Sequence, residues 1–270
     1  MELRVLKYFL MAAREENITK AARLLCVTQP TLSRQIMQLE EELGVKLFVR
    51  SKHNIILTDD GMLLKRRAEE LVSLAEKTKR EFSREEGNLT GEIAIGSGEL
   101  RSVKFLAEIL ASFRKIHPLI RYELYSGNAD QIKDRIEKGL LDVGLLLEPV
   151  DIGKYEFLRI PSQEEWGVLA KKDSDLAIKE TVNPHDLKNV PLLIAGRELV
   201  RNELASWFGS YYDQLDIAAT YNLLYNSAVM VQNGIGVALC LKLDSEYDNL
   251  CFVPLSPQLK ACSVLAWKKN

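Results

Sequence analysis

The sequence predicts an α/β protein in three parts: a small helical head closed by a two-stranded wing, one long helix, and an α/β domain. Three observations predict it. In residues 1–58, apolar positions recur at helical spacing in three short blocks, then give way to two blocks of strand-forming residues. Residues 59–86 hold no Pro and only Gly61 before Gly87, and apolar residues repeat along them in a seven-residue pattern. Residues 87–270 alternate strand-like and helix-like blocks.

Composition narrows the class. The 270 residues suit roughly two domains at ~150 residues each. Hydrophobic residues at 47% and charged residues at 27% are ordinary for a soluble globular chain. No apolar run reaches the ~18 residues of a membrane span, which argues against a membrane partner. Glu2 and Arg4, with no small-residue cleavage site after them, are unlike a signal peptide. Cys26, Cys240, Cys251 and Cys262 form no CxxC pair, which fits reduced thiols in the cytoplasm. The net charge of −2 is unevenly spread: residues 1–58 carry about +3 and the remainder about −5. A basic head on an acidic body permits DNA binding at one end.

In the head, Leu3, Leu6, Phe9, Leu10 and Ala13 mark the apolar stripe of a first helix. Asn17 caps a second, with Ile18, Ala21, Ala22 and Leu25 inward. The two alanines let a neighbouring helix approach closely. Thr28 caps a third helix, with Pro30 in its first turn, where a missing N–H costs nothing. Leu32, Ile36, Leu39 and Leu43 form its inner face. That leaves Thr28, Gln29, Thr31, Ser33, Arg34, Gln35 and Gln38 outward on a polar, acid-free surface suited to a major groove, with Glu40, Glu41 and Glu42 at the far end, outside the groove. Residues 46–50 and 55–58 read as two short strands joined by a basic loop, 51–54. Two strands after a helix-turn-helix make a wing, from which Arg50, Lys52 and His53 reach the DNA backbone or minor groove.

In the long helix, Asp59 and Asp60 suit the positive end of the helix dipole. Leu64, Ala68, Leu71, Ala75, Thr78 and Phe82 repeat at heptad spacing. Two readings stand: a dimer seam, or a helix packed on its own domain. The turn residues 87–91 then mark a hinge.

Beyond the hinge, strands are expected at 93–95, 120–124, 141–146, 155–160, 165–170, 192–194, 216–220, 235–239, 251–254 and 262–267. Helices are expected at 103–116, 128–138, 184–189, 198–209 and 222–233, the last ended by Gly234 as a left-handed cap. The order implies a mainly parallel sheet with helices on both faces.

Several strings then carry a resemblance. Ala21-Ala22-x-Leu24, Thr28-Gln29-Pro30-Thr31-Leu32-Ser33-Arg34-Gln35-Ile36, Leu39-Glu40-x-x-Leu43-Gly44-x-x-Leu47-Phe48-x-Arg50 and Leu57-Thr58-x-x-Gly61 follow one another without gaps. They closely resemble the DNA-binding domain of LysR-type transcriptional regulators. Gly87-x-Leu89-x-Gly91-x-Ile93-x-Ile95-Gly96, Phe113-Arg114-x-x-His117-Pro118, Gly139-x-Leu141-Asp142 and Val231-x-x-Gly234-Ile235-Gly236-Val237-Ala238-Leu239 resemble that family's effector domain more loosely. The resemblance implies an N-terminal winged helix-turn-helix, a long linker helix that dimerises, and a periplasmic-binding-protein-like C-terminal domain. That domain would have two subdomains, about 91–160 with 256–270, and about 161–255, with a small-molecule effector in the cleft between them. It implies a homodimer or homotetramer on double-stranded DNA, at an interrupted inverted repeat in a promoter, with RNA polymerase as a further candidate partner. His53 stands where the family usually carries arginine, which makes the wing contact weaker and pH-sensitive. Family members also continue past the last strand with another helix. The sequence stops at Trp267-Lys268-Lys269-Asn270, so altered oligomer packing relative to a tetramer is expected.

For the effector, Ser97, Gly98 and Ser102 surround a helix start that is receptive to anions, and Ser126 and Asn128 open on the same side. Glu99 disfavours an anion there unless Arg101 offsets it, which leaves a zwitterionic or cationic ligand open. Arg197 either lines the opposite wall or sits on the surface. His53, His117 and His185 lie far apart without metal-ligand spacing, and no nucleophile elbow, phosphate loop or dinucleotide fingerprint occurs. A regulator without cofactor or metal is expected, rather than an enzyme grafted on the binding fold or a ligand-binding protein with an inactive head. Cys240, Cys251 and Cys262 fall in or beside apolar strands, which favours inert thiols over redox sensing.

Overall fold

The computed structural model describes residues 1–50, 54–82 and 89–269; the side chains of Arg50, Arg80, Glu81 and Phe82 are also outside it. The chain divides into two compact units, Met1–Arg84 and Glu85–Asn270.

The first unit holds α1 (Leu3–Glu15), α2 (Ile18–Leu24), α3 (Gln29–Leu43), β1 (Phe48–Arg50), β2 (Ile55–Leu57) and α4 (Asp59–Phe82). Val5, Leu6, Phe9 and Ala12 are the buried face of α1, rotated from the stripe expected from Leu3, Leu10 and Ala13. The caps fall as expected: the Asn17 side chain accepts from Lys20 N at 2.9 Å, and Thr28 from Thr31 N at 3.4 Å. Ala21, Ala22, Leu32, Ile36 and Leu39 pack with Phe9 and Phe48 into one core. The strands β1 and β2 pair antiparallel, Phe48 opposite Leu57. Gly61 fits only as glycine, because a Cβ there would lie 2.2 Å from the carbonyl oxygen of Leu47.

Two expectations for α3 and α4 are corrected. Leu43 is exposed at 40%, while Glu40 is buried at 5%. Glu40 lies one turn beyond Ile36, and its side chain accepts from Leu47 N at 2.9 Å, Phe48 N at 3.4 Å and Lys46 Nζ at 2.8 Å. It thus satisfies the chain leaving α3 rather than facing solvent with Glu41 and Glu42. In α4, Ala68 is fully buried in the head core with Leu64 and Val72 beside it. The heptad series therefore splits: Leu64 and Ala68 pack on the head, whereas Leu71 and Thr78 face outward with Leu63 and Leu74. Ala75 is half-buried. An ion pair between Lys7 and Glu76 fastens α1 to α4.

The second unit holds β3 (Gly91–Ser97), α5 (Val103–Ile116), β4 (Ile120–Ser126), α6 (Ala129–Glu137), β5 (Val143–Leu147), β6 (Tyr155–Lys171), β7 (Leu192–Ala195), α7 (Glu198–Phe208), β8 (Ile217–Tyr221), α8 (Leu224–Gln232), β9 (Val237–Leu241), β10 (Leu250–Pro254) and β11 (Lys260–Lys268). Strands run in the order β4-β3-β5-β11-β6-β9-β7-β8, with β10 also on β6. The pairs β4-β3, β3-β5, β9-β7 and β7-β8 are parallel. The expected mainly parallel sheet is thus two parallel triplets, and β6 and β11 pair antiparallel between them. The strands expected at 155–160 and 165–170 are one strand, β6. It pairs with β11 in its first part and with β9 and β10 from Trp166 onward, so it passes from one lobe to the other. Gly234, at φ +82°, follows α8 as the expected left-handed stop.

Candidate nucleic-acid interface and ligand cleft

On α3, the inward residues Leu32, Ile36 and Leu39 leave Thr28, Gln29, Pro30, Thr31, Arg34 and Gln38 exposed and Ser33 half-buried. These side chains pair locally. The Thr28 and Thr31 hydroxyls lie 2.8 Å apart, Gln29 Nε2 donates to Ser33 Oγ at 2.9 Å, and Gln35 Nε2 donates to Gln38 Oε1 at 2.9 Å. Arg34 is exposed and has no partner among the described residues. The first two turns of α3 carry no acid. The surface offers donors, acceptors and one free guanidinium, the equipment of a helix that reads base edges and phosphates. Of the wing residues expected on DNA, Lys52, His53 and the side chain of Arg50 lie outside the described residues, as do Phe82's side chain in the seam and Gly87 and Asn88 in the hinge.

Burial pushes the Glu40 carboxyl up, but the Lys46 ammonium and the N–H groups of Leu47 and Phe48 outweigh it and hold the group below the usual carboxylate range. The charge is thereby tied to the fold of the wing rather than to its surface.

In the second unit, a chamber of about 100 Å³ opens between the lobes. Leu145, Leu147, Trp166, Ala195, Val200 and Leu241 make much of it apolar. Glu99, Asn128, Arg197, Tyr221 and Asn222 supply polar groups, with Gly98 and Gly196 at strand ends. Arg197 is nearly buried. Its Nε donates to both Asp130 oxygens at 3.3 Å, Nη1 to Leu147 O at 3.2 Å, and Nη2 to Pro149 O at 2.7 Å. It is a clamp from the end of β7 onto α6 and the end of β5. Burial pushes the nearby Glu203 carboxyl up, against the opposing pull of Arg197.

Of the residues expected at the effector, the structure brings Gly98, Glu99, Asn128 and Arg197 to the chamber wall. Arg101 lines an adjoining outer vestibule of about 640 Å³ with Tyr225 and Tyr247, where it pairs with Asp244 at 2.8 Å. Ser102 is a correction. It is buried, its Oγ lies 3.0 Å from Ser263 Oγ, and its backbone N donates to Glu164. Ser97 Oγ turns to the carbonyl of Gly98, and exposed Ser126 does not line the chamber. Trp166 and Tyr221 are wall residues the sequence did not single out, and Cys240, expected only as an inert strand thiol, joins them. The signal for Trp166 was alternation: Ile160, Glu164, Trp166 and Val168 share one buried face of β6. Burial pushes the Cys240 thiol up to about 12, which disfavours the reactive thiolate.

A polar recognition helix in one unit and a ligand-sized cleft between two α/β lobes in the other define a ligand-responsive DNA-binding regulator. Residues 3–62 match the bacterial regulatory helix-turn-helix of the lysR family, and residues 86–270 match the LysR substrate binding domain. The chain belongs to the LysR family of transcriptional regulators. It is 30% identical to the Hca operon transcriptional activator HcaR of Escherichia coli over all of this chain and 93% of that one. It is 31% identical to the regulator AlsR of Bacillus subtilis over 95% of this chain and 81% of that one. Among solved structures, CbnR complexed with its target DNA matches with a TM-score of 0.76 at 22% identity, covering 100% of this chain and 94% of that one. Full-length BenM matches at 0.53 and 26%, covering 100% and 91%. No helix among the described residues is long and apolar enough to cross a membrane.

Proposed function

We propose that this regulator reads double-stranded DNA with the first half of α3, through Thr28, Gln29, Thr31, Ser33, Arg34 and Gln38, and that the wing adds backbone contacts. One observation carries the assignment: Arg34 stands exposed, without a partner among the described residues, in the acid-free first two turns of α3. Two heads are held by the outward stripe of α4, Leu63, Leu71, Leu74 and Thr78, which a dimer would cover. A homodimer, or a tetramer built from it, then spans two half-sites of an inverted repeat. The effector occupies the chamber bounded by Glu99, Asn128 and Arg197, and it shifts the oligomer between arrangements by favouring one of them. The protein acts in the cytoplasm as a binding protein rather than an enzyme; the relatives named above are transcriptional regulators. Fluorescence anisotropy on its own upstream DNA, with scrambled DNA as control and a salt series, tests the reading. Sequence-dependent binding that weakens steeply with salt supports it. Equal weak binding to every sequence, with the operator sought genome-wide and not found, contradicts it.

A further inference from the structure

Three helix starts around the chamber are already supplied with oxygen ligands by the protein itself. At the turn into α5, the fully buried Glu164 accepts from Arg101 N at 3.1 Å and Ser102 N at 3.0 Å, and the Ser263 hydroxyl donates to it at 3.3 Å. At α8, Glu99 Oε2 accepts from Leu224 N. At α6, Asn128 Oδ1 accepts from Asp130 N at 3.1 Å and Gln131 N at 3.0 Å. The start of α7 carries Glu198 in its first turn but has no side-chain cap. Arg197, the cation on the chamber wall, is held by Asp130 and two carbonyls. A ligand carboxylate would therefore find the starts of α5, α6 and α8 occupied and both terminal nitrogens of Arg197 already bonded to carbonyls, and would sit beside Glu99.

Glu99 is oppositely placed. It lines both the chamber and the vestibule, and no basic side chain pairs with it among the described residues. Beside it in the vestibule are the rings of Tyr225 and Tyr247 and the carboxylates of Asp244 and Glu246. The bases there are Arg101, paired with Asp244, and Lys104. In the chamber, Trp166 is 2% exposed, and its Nε1–H has no acceptor among the described residues. A volume of about 100 Å³ takes one small apolar group, since a cavity of ~150 Å³ holds benzene.

We propose that the effector is a compact organic cation, a small apolar amine: its apolar group fills the chamber against Trp166 and Leu145, and its ammonium meets the free oxygen of Glu99 beside the vestibule tyrosines. This rests on the chamber being the effector site. Cation–π attraction from the tyrosines adds to the ion pair, and apolar burial supplies the rest of the affinity.

The test uses isobutylamine, isobutanol and isobutyrate, which share a branched apolar group smaller than a benzene ring and differ in charge. Each is titrated at roughly millimolar concentration into the full chain. Trp207 and Trp267 are replaced by Phe so that Trp166 reports alone, with thermal shift as a second readout. The expected result is that isobutylamine moves the Trp166 emission and raises Tm, isobutyrate does neither, and Glu99→Gln weakens the amine by roughly tenfold. Gln still accepts from Leu224 N, so the α8 start survives the change. Isobutyrate binding at Trp166 as well as the amine overturns the cationic class and leaves the chamber assignment standing. A Tm rise with no change at Trp166, or no response to any of the three, overturns both.

Discussion

The Nε of Arg197, at the end of β7, lies 3.3 Å from both carboxylate oxygens of Asp130 on α6, while its other nitrogens hold the carbonyls of Leu147 and Pro149. One side chain thus ties the end of β7 in one lobe to α6 and the end of β5 in the other, across the chamber. Arg197→Ala leaves two carbonyls without their donors and is expected to lower stability by about 1–3 kcal/mol. Asp130 is 60% exposed and is rehydrated, which keeps the loss from being larger. Arg197→Lys keeps the charge but not the fork, and recovers little of the loss. Urea unfolding of the second unit's transition measures it; an unchanged midpoint in Arg197→Ala removes the clamp.

The wing is expected to be acid-labile through Glu40. Its carboxyl is held below the ordinary value of 4.5 in the folded head. A depressed group contributes stability above its unfolded pKa and loses it as pH falls through the folded one. Head stability therefore falls as pH drops below about 4.5. In Glu40→Gln this part of the pH dependence disappears, together with about 1–3 kcal/mol at neutral pH. Unfolding followed by circular dichroism at several pH values checks both; identical pH profiles for the two proteins contradict the assignment.

Gly61→Ala is expected to destabilise the head although alanine favours helices. The new Cβ would sit 2.2 Å from Leu47 O, a backbone atom that also accepts from Thr58 N. Overpacking of this kind costs about 1–3 kcal/mol, which exceeds the ~1 kcal/mol that alanine gains over glycine in a helix. A Tm equal to or above wild type would refute the close approach.

The two sides of α4 are expected to fail differently. Leu71→Asp and Leu74→Asp, at 42% and 38% exposed, should yield monomers by light scattering with little change in the head's Tm. Ala68→Asp, in a fully buried position, should unfold the head. A dimer that survives both leucine changes would place the seam elsewhere.

Much of this was legible because the sequence repeats its instructions. Caps at Asn17 and Thr28, the inner face of α3, the α/β alternation and the stop at Gly234 each rest on local chemistry that tertiary packing left in place. The misses share another cause. Glu40, Glu164 and Ser102 are polar residues on buried faces, and their burial depends on backbone donors that arrive from distant segments. Glu164 falls in phase with Ile160 and Trp166, so strand alternation placed it inside; what it would bond there lay 62 residues away at Ser102. The backbone N–H groups at the turn into α5, expected to receive a ligand anion, are occupied by the protein's own Glu164 carboxylate. In α4 the heptad spacing was real, but a helix that buries one stripe on its own head and exposes another shows a similar period.

The most direct test of the central claim is operator affinity of Arg34→Ala beside wild type, across a salt series, with oligomer mass recorded for both. The account predicts a loss of roughly tenfold to a hundredfold, a salt slope smaller by about one, and an unchanged mass. Unchanged affinity and slope in a correctly folded variant would remove the exposed face of α3 from the DNA interface.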